Sequence, residues 1–543
     1  AFRIARALVA RWDALALRAD PRRVAAAAAL PVAALYALAT GADVPVVRSA
    51  LAVALGFGGI LLDRESDALN GIAVAAIAVL AAEPGALRDP SFQLSFASVA
   101  GLALLSRPLR AAVPVAAPGP GASLRARARE ALLAAACASA AATLATAPIV
   151  AFHFRRLSAL GVVANLAGIP IGSALTVVAA LAAVASALAP ALAPALLVAC
   201  RPLATSLLWV NDACAAPRWA AIGVGSPGLL GVALSYACAG TAWHVRGWRR
   251  AGCLACAAGA LLFPPHLRHA AAARRGGLEV TFLSVGQGDA TCLLLPDGAA
   301  VLVDGGGDVQ GRFDPGARDV VPWLRDAGVR EVAAIFLSHP HPDHLLGLPA
   351  IAEAYPTRRF FGNGRRGDDA AAAALARLPP ATPLRPGEWY ERAGVRFEAL
   401  GPPPGSEAWT ENDASLVLRV TYGSTVFLLP GDVEAEGEAA LLAGAGAGRL
   451  RCDVAKLPHH GSATSSSTAF VAAARPAYAV ATVGRDNRFG FPAPEVVQRW
   501  TAAGATVLRT DEGAVRFLSD GRTVVRRPAA ASVDALALWR EHL

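Results

Sequence analysis

The sequence predicts two domains suited to different solvents: a polytopic α-helical membrane domain, then an α/β domain of two mixed sheets faced by helices. Three observations carry this. Hydrophobic residues make up 55% of the chain and charged residues only 17%, too apolar for one soluble domain of this length. The excess is confined to residues 1 to about 270. From residue 277 onward, strand patterns, glycine turns and helix patterns alternate, as in an α/β sandwich.

Residues 1–23 set Arg3, Arg6, Arg11, Arg18, Arg22 and Arg23 among Phe2, Ile4, Leu8, Trp12, Leu15 and Leu17, the pattern of a basic amphipathic helix at a membrane surface. Residues 24–269 hold long charge-free runs, among them 24–42, 49–62, 91–106 and 157–200. A spanning helix needs about 20 apolar residues, so the last run accommodates two spans or a span and a re-entrant piece. Counting all candidates gives an expectation of seven to nine spans. Gly56-Phe57-Gly58-Gly59 and Gly168-Ile169-Pro170-Ile171-Gly172 let helices approach closely or break. Asn70, Gln93 and Asn165 are expected to hydrogen-bond between helices. Arginines before Val24, between Arg107 and Arg129 and from Arg246 to Arg250 mark cytoplasmic loops, although Arg155-Arg156 breaks strict alternation.

Residues 270–277 look like a linker of small residues. Strands are expected at 278–285, 291–295, 300–304, 395–400, 416–422, 425–429, 454–457, 478–483, 507–509 and 514–518. Helices are expected at 369–378, 434–443, 467–474 and 494–503. This domain is bounded at 278–526, and 527–543 form a tail. The cysteines lie mostly in the apolar half and behave as small hydrophobes, Cys253 and Cys256 included. The net charge of +9 comes almost wholly from arginine and is weak evidence for a nucleic-acid partner. The chain contains no Met and opens on Ala1, so a preceding piece is expected.

The chemistry is concentrated after strand ends. Ser338-His339-Pro340-His341-Pro342-Asp343-His344 follows the buried run 332–337 and packs three imidazoles and a carboxylate into a few positions. These are ligands for a borderline divalent cation such as zinc or manganese. In an extended segment His339 and His341 point to one side; a helix starting at Asp343 would let Asp343 and His344 face the same cavity. Two metal ions, each seeing half of the motif, follow. Leu428-Leu429-Pro430-Gly431-Asp432 adds a carboxylate after another strand, and Lys456-Leu457-Pro458-His459-His460-Gly461-Ser462 adds two histidines beside the sole lysine.

Strand-Asp-Gly at Asp304, His-x-His-x-Asp-His, Gly-Asp and a last His, in this order, resemble the metallo-β-lactamase fold of binuclear hydrolases, a four-layer αββα sandwich. Val285-Gly286-Gln287-Gly288-Asp289-Ala290, Asn412-Asp413-Ala414-Ser415-Leu416-Val417-Leu418 and Lys456 to Ser462 followed by Thr464-Ser465 are similar to the carboxy-terminal domain of ComEC competence proteins. Asp89-Pro90-Ser91-Phe92-Gln93-Leu94-Ser95-Phe96 and 148–170 are similar to their membrane domain. The family usually carries an amino-terminal OB-like domain, which would be the preceding piece.

The resemblance implies that His339 and His341 hold one metal, that Asp343 and His344 hold the second with His459 or His460 (His459 preferred), and that Asp432 bridges both. Asp343, Asp432 and Lys456 would be catalytic, while Asp304, Asn412 and Asp413 would support the ligands from behind. Many relatives offer a third His near Asn412; Asp413 is the expected stand-in. Ser284 takes a position often held by Asp. Phe491 and Ala493 replace histidines and remove a phosphate contact, for which Lys456, Ser462, Thr464 and Ser465 are candidates, against plain capping of a helix near Ser467.

The implied function is DNA uptake for natural transformation: a multi-pass inner-membrane channel conducts one strand and a nuclease domain with two zinc or manganese ions degrades its complement. Implied partners are DNA, the lipid bilayer, other competence proteins and further copies of this chain. The alternatives are a membrane-tethered hydrolase of another phosphodiester or ester, and a channel whose hydrolase-like domain only grips DNA.

Overall fold

The computed structural model describes residues 20–528 except 40, 42–43, 63–67, 116–117, 120, 218, 309, 312, 358 and 486. Most of the expected basic segment 1–23 and of the tail 527–543 lies outside the described residues. Two compact units result, Ala1–Val224 with Val232–Ala257, and Gly225–Gly231 with Ala258–Leu543.

The first unit is helical. Among the described residues, four helices are long and apolar enough to cross a membrane: Pro90–Ala112, Leu124–Phe154, Gly161–Leu188 and Ala193–Ala215. Fewer helices reach that length than the expected seven to nine spans, because Gly228–His244 has 17 residues and Trp248–Leu262 only 15. Ser49–Leu61 and Leu69–Ala82 are shorter apolar helices. The charge-free run 157–200 makes one whole helix and the start of another, broken between Leu188 and Ala193. Large apolar side chains point outward, Leu188 at 81% and Trp209 at 70% exposure, an arrangement that water penalises and lipid does not.

Asp89 starts the first long helix as a cap: its side chain accepts the Ser91 N–H at 2.7 Å, and Pro90 takes the first helical position. Gln93 Oε1 meets His153 Nε2 of the next helix at 2.9 Å, and Asn165 Nδ2 donates to Ser139 Oγ at 2.9 Å. Two of the three expected polar contacts between helices are thus in place. Arg155 ends its helix in the left-handed region and leads into a short strand, Arg156–Ser158, paired with Ala221–Gly223. That pairing is too short to leave a period in the sequence.

The second unit contains two sheets. One has seven strands in the order 506–509, 478–481, 454–456, 425–429, 417–422, 395–401, 389–392. The other has eight, in the order 524–527, 515–519, 278–282, 291–294, 300–303, 332–336, 360–362, 382–383. A single apolar cluster joins their inner faces, with Val280, Phe282 and Phe336 from one and Phe397, Leu418, Phe427 and Val454 from the other. Helices cover each outer face. Leu324, Leu345, Leu348 and Ile351 pack behind the larger sheet, and Leu441, Phe470, Val496 and Trp500 behind the smaller. This is the four-layer sandwich. Residues 264–275, part of which was expected as a linker, form a helix, and its Arg268 donates to the Ser226 carbonyl.

The central strands run parallel: 300–303 beside 332–336, and 425–429 beside 454–456 beside 478–481. They are buried on both faces and so read as unbroken apolar runs. Parallel neighbours present their carboxyl ends along one edge, which is where the candidate ligands emerge.

Candidate metal centre

Strand 332–336 delivers Ser338 and His339 into the interior, and the chain then turns at Pro342 into the one-turn helix Pro342–Leu345, which carries Asp343 and His344. Backbone from two glycine-rich loops clasps this helix. Asp289 N donates to Asp343 O at 3.1 Å and Gly305 N to His344 O at 2.8 Å. A Cβ at Gly307 would strike the Pro342 carbonyl, and one at Gly288 the Asp343 carbonyl. Only glycine permits that approach.

Asp343, His344, Asp432 and His460 bring one ligand atom each to within 4.8 Å of one another. Asp432 Oδ2 lies 3.3 Å from His344 Nε2 and 3.2 Å from His460 Nε2, which is also 3.2 Å from Asp343 Oδ2. His344 is aimed from behind: its Nδ1 meets Asp304 Oδ2 at 2.9 Å, and Asp304 also accepts the Ser338 N–H and O–H at 2.7 and 2.8 Å. His460 is aimed by the Thr482 carbonyl, 2.9 Å from its Nδ1.

His339 adjoins this quartet, its ring centre 4.3 Å from that of His344. Its Nδ1 faces the Ser338 and Ser415 hydroxyls at 3.1 and 3.3 Å. Its Nε2 is buried and has no hydrogen-bond partner among the described residues. An imidazole nitrogen left bare at depth costs free energy unless something binds it. His341 is half-exposed, its ring centre 5.3 Å from that of His339 and its Nδ1 3.5 Å from Asp343 Oδ1. Two carboxylates and two inward imidazoles, with a bare Nε2 beside them, fit divalent cations well.

The two histidines after strand 454–456 part company. His459 and His460 both have positive φ, and the turn sends His460 into the cluster. His459 instead meets Glu434 Oε1 at 2.7 Å, so the preference for His459 over His460 is reversed. Asp413 is no stand-in ligand either. Its Oδ1 accepts the Glu434 and Gly437 N–H groups at 2.9 and 2.8 Å, tying down the start of the helix Ala435–Gly444. Ser415, not Asp413, sits beside His339. The Asn412 carbonyl accepts the Ser415 N–H at 3.0 Å.

Lys456 is buried, and its Nζ is held by Asp289 Oδ2 at 2.5 Å, Gly431 O at 2.7 Å and Asp432 Oδ1 at 3.0 Å. An ammonium so enclosed cannot reach a phosphate from solvent; it fixes Asp432. Ser465 is likewise turned inward, donating to the Pro458 and Ser462 carbonyls. Ser462 and Thr464 share a hydrogen bond, Thr464 donates to Glu434, and Ser467 caps its helix by accepting the Phe470 N–H. Asp289, which was not among the expected site residues, also belongs to this cluster, 3.3 Å from His460 Nδ1. It lies within the Gly286 to Ala290 stretch, and an acid flanked by glycine at the end of an apolar strand was the available signal. It also accepts the Thr482 hydroxyl.

Charge is tightly balanced here. Burial alone would raise Asp432 and Asp289, but His460 and Lys456 outweigh it and hold both carboxylates below their ordinary range. Burial would likewise lower His344 and His460, yet the surrounding carboxylates, Asp432 foremost, raise both. His339, with less carboxylate around it, is pushed well down by burial and stays neutral.

Residues 1–249 match the family described as Competence protein, and residues 285–485 match the Metallo-beta-lactamase superfamily. The chain is 27% identical over 256 residues to ComE operon protein 3 of Bacillus subtilis, covering 44% of this chain and 33% of that protein. It is 36% identical over 199 residues to Competence protein ComA of Neisseria gonorrhoeae, covering 36% of this chain and 27% of that one. The matched part thus spans a third or less of the length of these relatives. Among solved structures, a metallo-β-lactamase from Cronobacter sakazakii aligns at TM-score 0.24 and 18% identity, over 32% of this chain and 75% of its own. The protein is a membrane protein whose second unit has the metallo-β-lactamase fold of metal-dependent hydrolases. With a competence-type membrane region followed by that fold, the chain belongs to the ComEC family of competence proteins.

Proposed function

We propose that the protein takes part in DNA uptake for natural transformation: a multi-pass inner-membrane domain, residues 24–269, conducts one strand, and a metal-dependent nuclease domain, residues 278–526, cuts the complement. The observation that carries the hydrolytic part is the convergence of Asp343, His344, Asp432 and His460 with the bare Nε2 of His339. One group of ligands comes from each sheet.

In this reading Asp343, His344, Asp432 and His460 would hold one divalent ion, zinc or manganese, and His339 and His341 would hold a second with help from Asp432. Such a pair would supply activation of water at neutral pH and would offset phosphoryl charge. The chain contributes orientation. Asp304 fixes the His344 ring, Thr482 fixes His460, and Lys456, itself held by Asp289, fixes Asp432, which His460 and Lys456 keep ionised. Half-exposed His341 marks the side open to substrate. Other competence proteins and further copies of the chain are expected partners of the membrane part.

The test uses the full chain, purified in detergent, with manganese or zinc and single-stranded DNA. Cleavage is expected, and Asp343→Ala should lower it at least a hundredfold. Absence of cleavage by the parent chain, or equal cleavage by the variant, overturns the nuclease reading. Phe491 and Ala493, standing where the family carries histidines, favour the reading in which the domain grips DNA without cutting. Retained DNA binding with no cleavage would select it, and cleavage of other esters alone would select the tethered hydrolase.

A further inference from the structure

We propose that Phe489 and Phe491 form a platform on which an unpaired base of a nucleic-acid strand stacks beside the metal centre. The inference rests on the nucleic-acid reading above for the class of ligand, and it does not require cleavage.

Among the described residues of 278–528, the large apolar side chains that stand exposed are Trp389, Phe489 and Val525. Trp389 and Val525 lie on the outermost strands of their sheets. Phe489, at 52% exposure, belongs to the loop that leads away from strand 478–481 on the ligand-bearing edge.

The loop is built to present that ring. Asn487 spans it, its Nδ2 donating to the Gly484 and Phe491 carbonyls at 3.3 and 2.9 Å and its Oδ1 accepting the Phe491 N–H at 2.9 Å. Phe491 rests on the core behind the smaller sheet. Phe489 stacks on it, centres 5.5 Å apart and planes within 15°. The other contact leads to the metal centre: Phe491 meets the His459 ring at 5.7 Å, and His459 precedes His460, whose ring centre is 6.1 Å away. Arg488 places a guanidinium 5.0 Å from the Phe489 ring.

An exposed π surface, a cation at the same ring and a cation-binding cluster three ring contacts away match what a short stretch of strand offers: a base, a backbone phosphate and, further along, a scissile phosphodiester. Paired bases in a duplex have their faces covered by neighbours, so the platform selects an unpaired strand.

Binding is measured on the full chain in detergent, without metal so that no strand is cut, by fluorescence anisotropy of a labelled oligothymidylate and of an abasic strand of equal length and charge. The parent chain should prefer the strand with bases roughly tenfold. F489A/F491A should abolish that preference. F489W should keep it, and its added indole fluorescence should be quenched by oligothymidylate and not by the abasic strand. Equal binding of both strands by the parent, or no base-dependent quenching in F489W, overturns the platform. Cleavage in manganese is scored separately. A chain that senses bases and cuts nothing loses only the nuclease reading, whereas one that cuts without sensing bases loses only the platform.

Discussion

Lys456 shows how one side chain can govern a site without touching substrate. It neutralises two buried carboxylates, Asp289 and Asp432, at 2.5 and 3.0 Å. Removing one partner of a buried ion pair costs ~3–5 kcal/mol, so Lys456→Met should lower the denaturation midpoint of the second unit and release bound metal. A change below ~1 kcal/mol would mean that solvent screens the pair. The two histidines of the 459–460 turn are expected to separate on metal analysis: His460→Ala loses metal and His459→Ala keeps it. Protons compete for the same site. His344 and His460, raised by their carboxylates, add stability to the metal-free protein that is full below their unfolded values and fades as pH climbs through the raised ones. The depressed carboxylates Asp289, Asp343 and Asp432 keep their contribution until pH falls below the ordinary carboxylate range. A divalent ion needs both imidazoles neutral, so its stabilising effect should be larger at about pH 8 than at about pH 6 in a thermal melt. A flat dependence would refute proton competition. Sequence alone named the ligand types, because His and Asp packed after a strand have few other uses. It chose His459 over His460, because the positive-φ turn that sends His460 inward leaves no mark in the sequence, and it could not see that Asp413 is spent on a helix start.

Elements put those residues in place, and glycine decides how closely they come. With the Gly307 and Gly288 backbones against the 342–345 helix, a methyl group at either position must push that helix outward. Gly307→Ala is therefore expected to weaken metal binding more than tenfold while leaving the sheets folded, as read by metal titration and circular dichroism; unchanged affinity would show that the helix has room to shift. The strands legible in the sequence were those whose apolar runs end in Gly, Pro or Asp, such as 300–303 and 425–429. The short strands 360–362, 382–383 and 389–392, toward the margins of their sheets, went unseen, because two to four residues there carry little period and owe their conformation to the neighbour they pair with. The helix supposed to start at Asp343 starts one residue earlier, with Pro342 at its first position.

At the scale of the whole molecule, the division between an apolar half and an ordinary α/β half was written in composition, since lipid and water select different surfaces. Helix count was not, because Ala-rich runs do not mark where a helix stops, and 15 to 17 residues in the later helices fall short of a hydrocarbon layer. The sandwich has a further property. Its candidate metal ligands are drawn from opposite layers: His339, Asp343 and His344 hang from the larger sheet, Asp432 and His460 from the smaller. A cation gripped by both would act as a rivet through the two layers at one end, where the apolar seam between them gives way to polar side chains. Catalysis and cohesion would then share a single fastener, and starving the cell of that metal would loosen the enzyme as well as silence it.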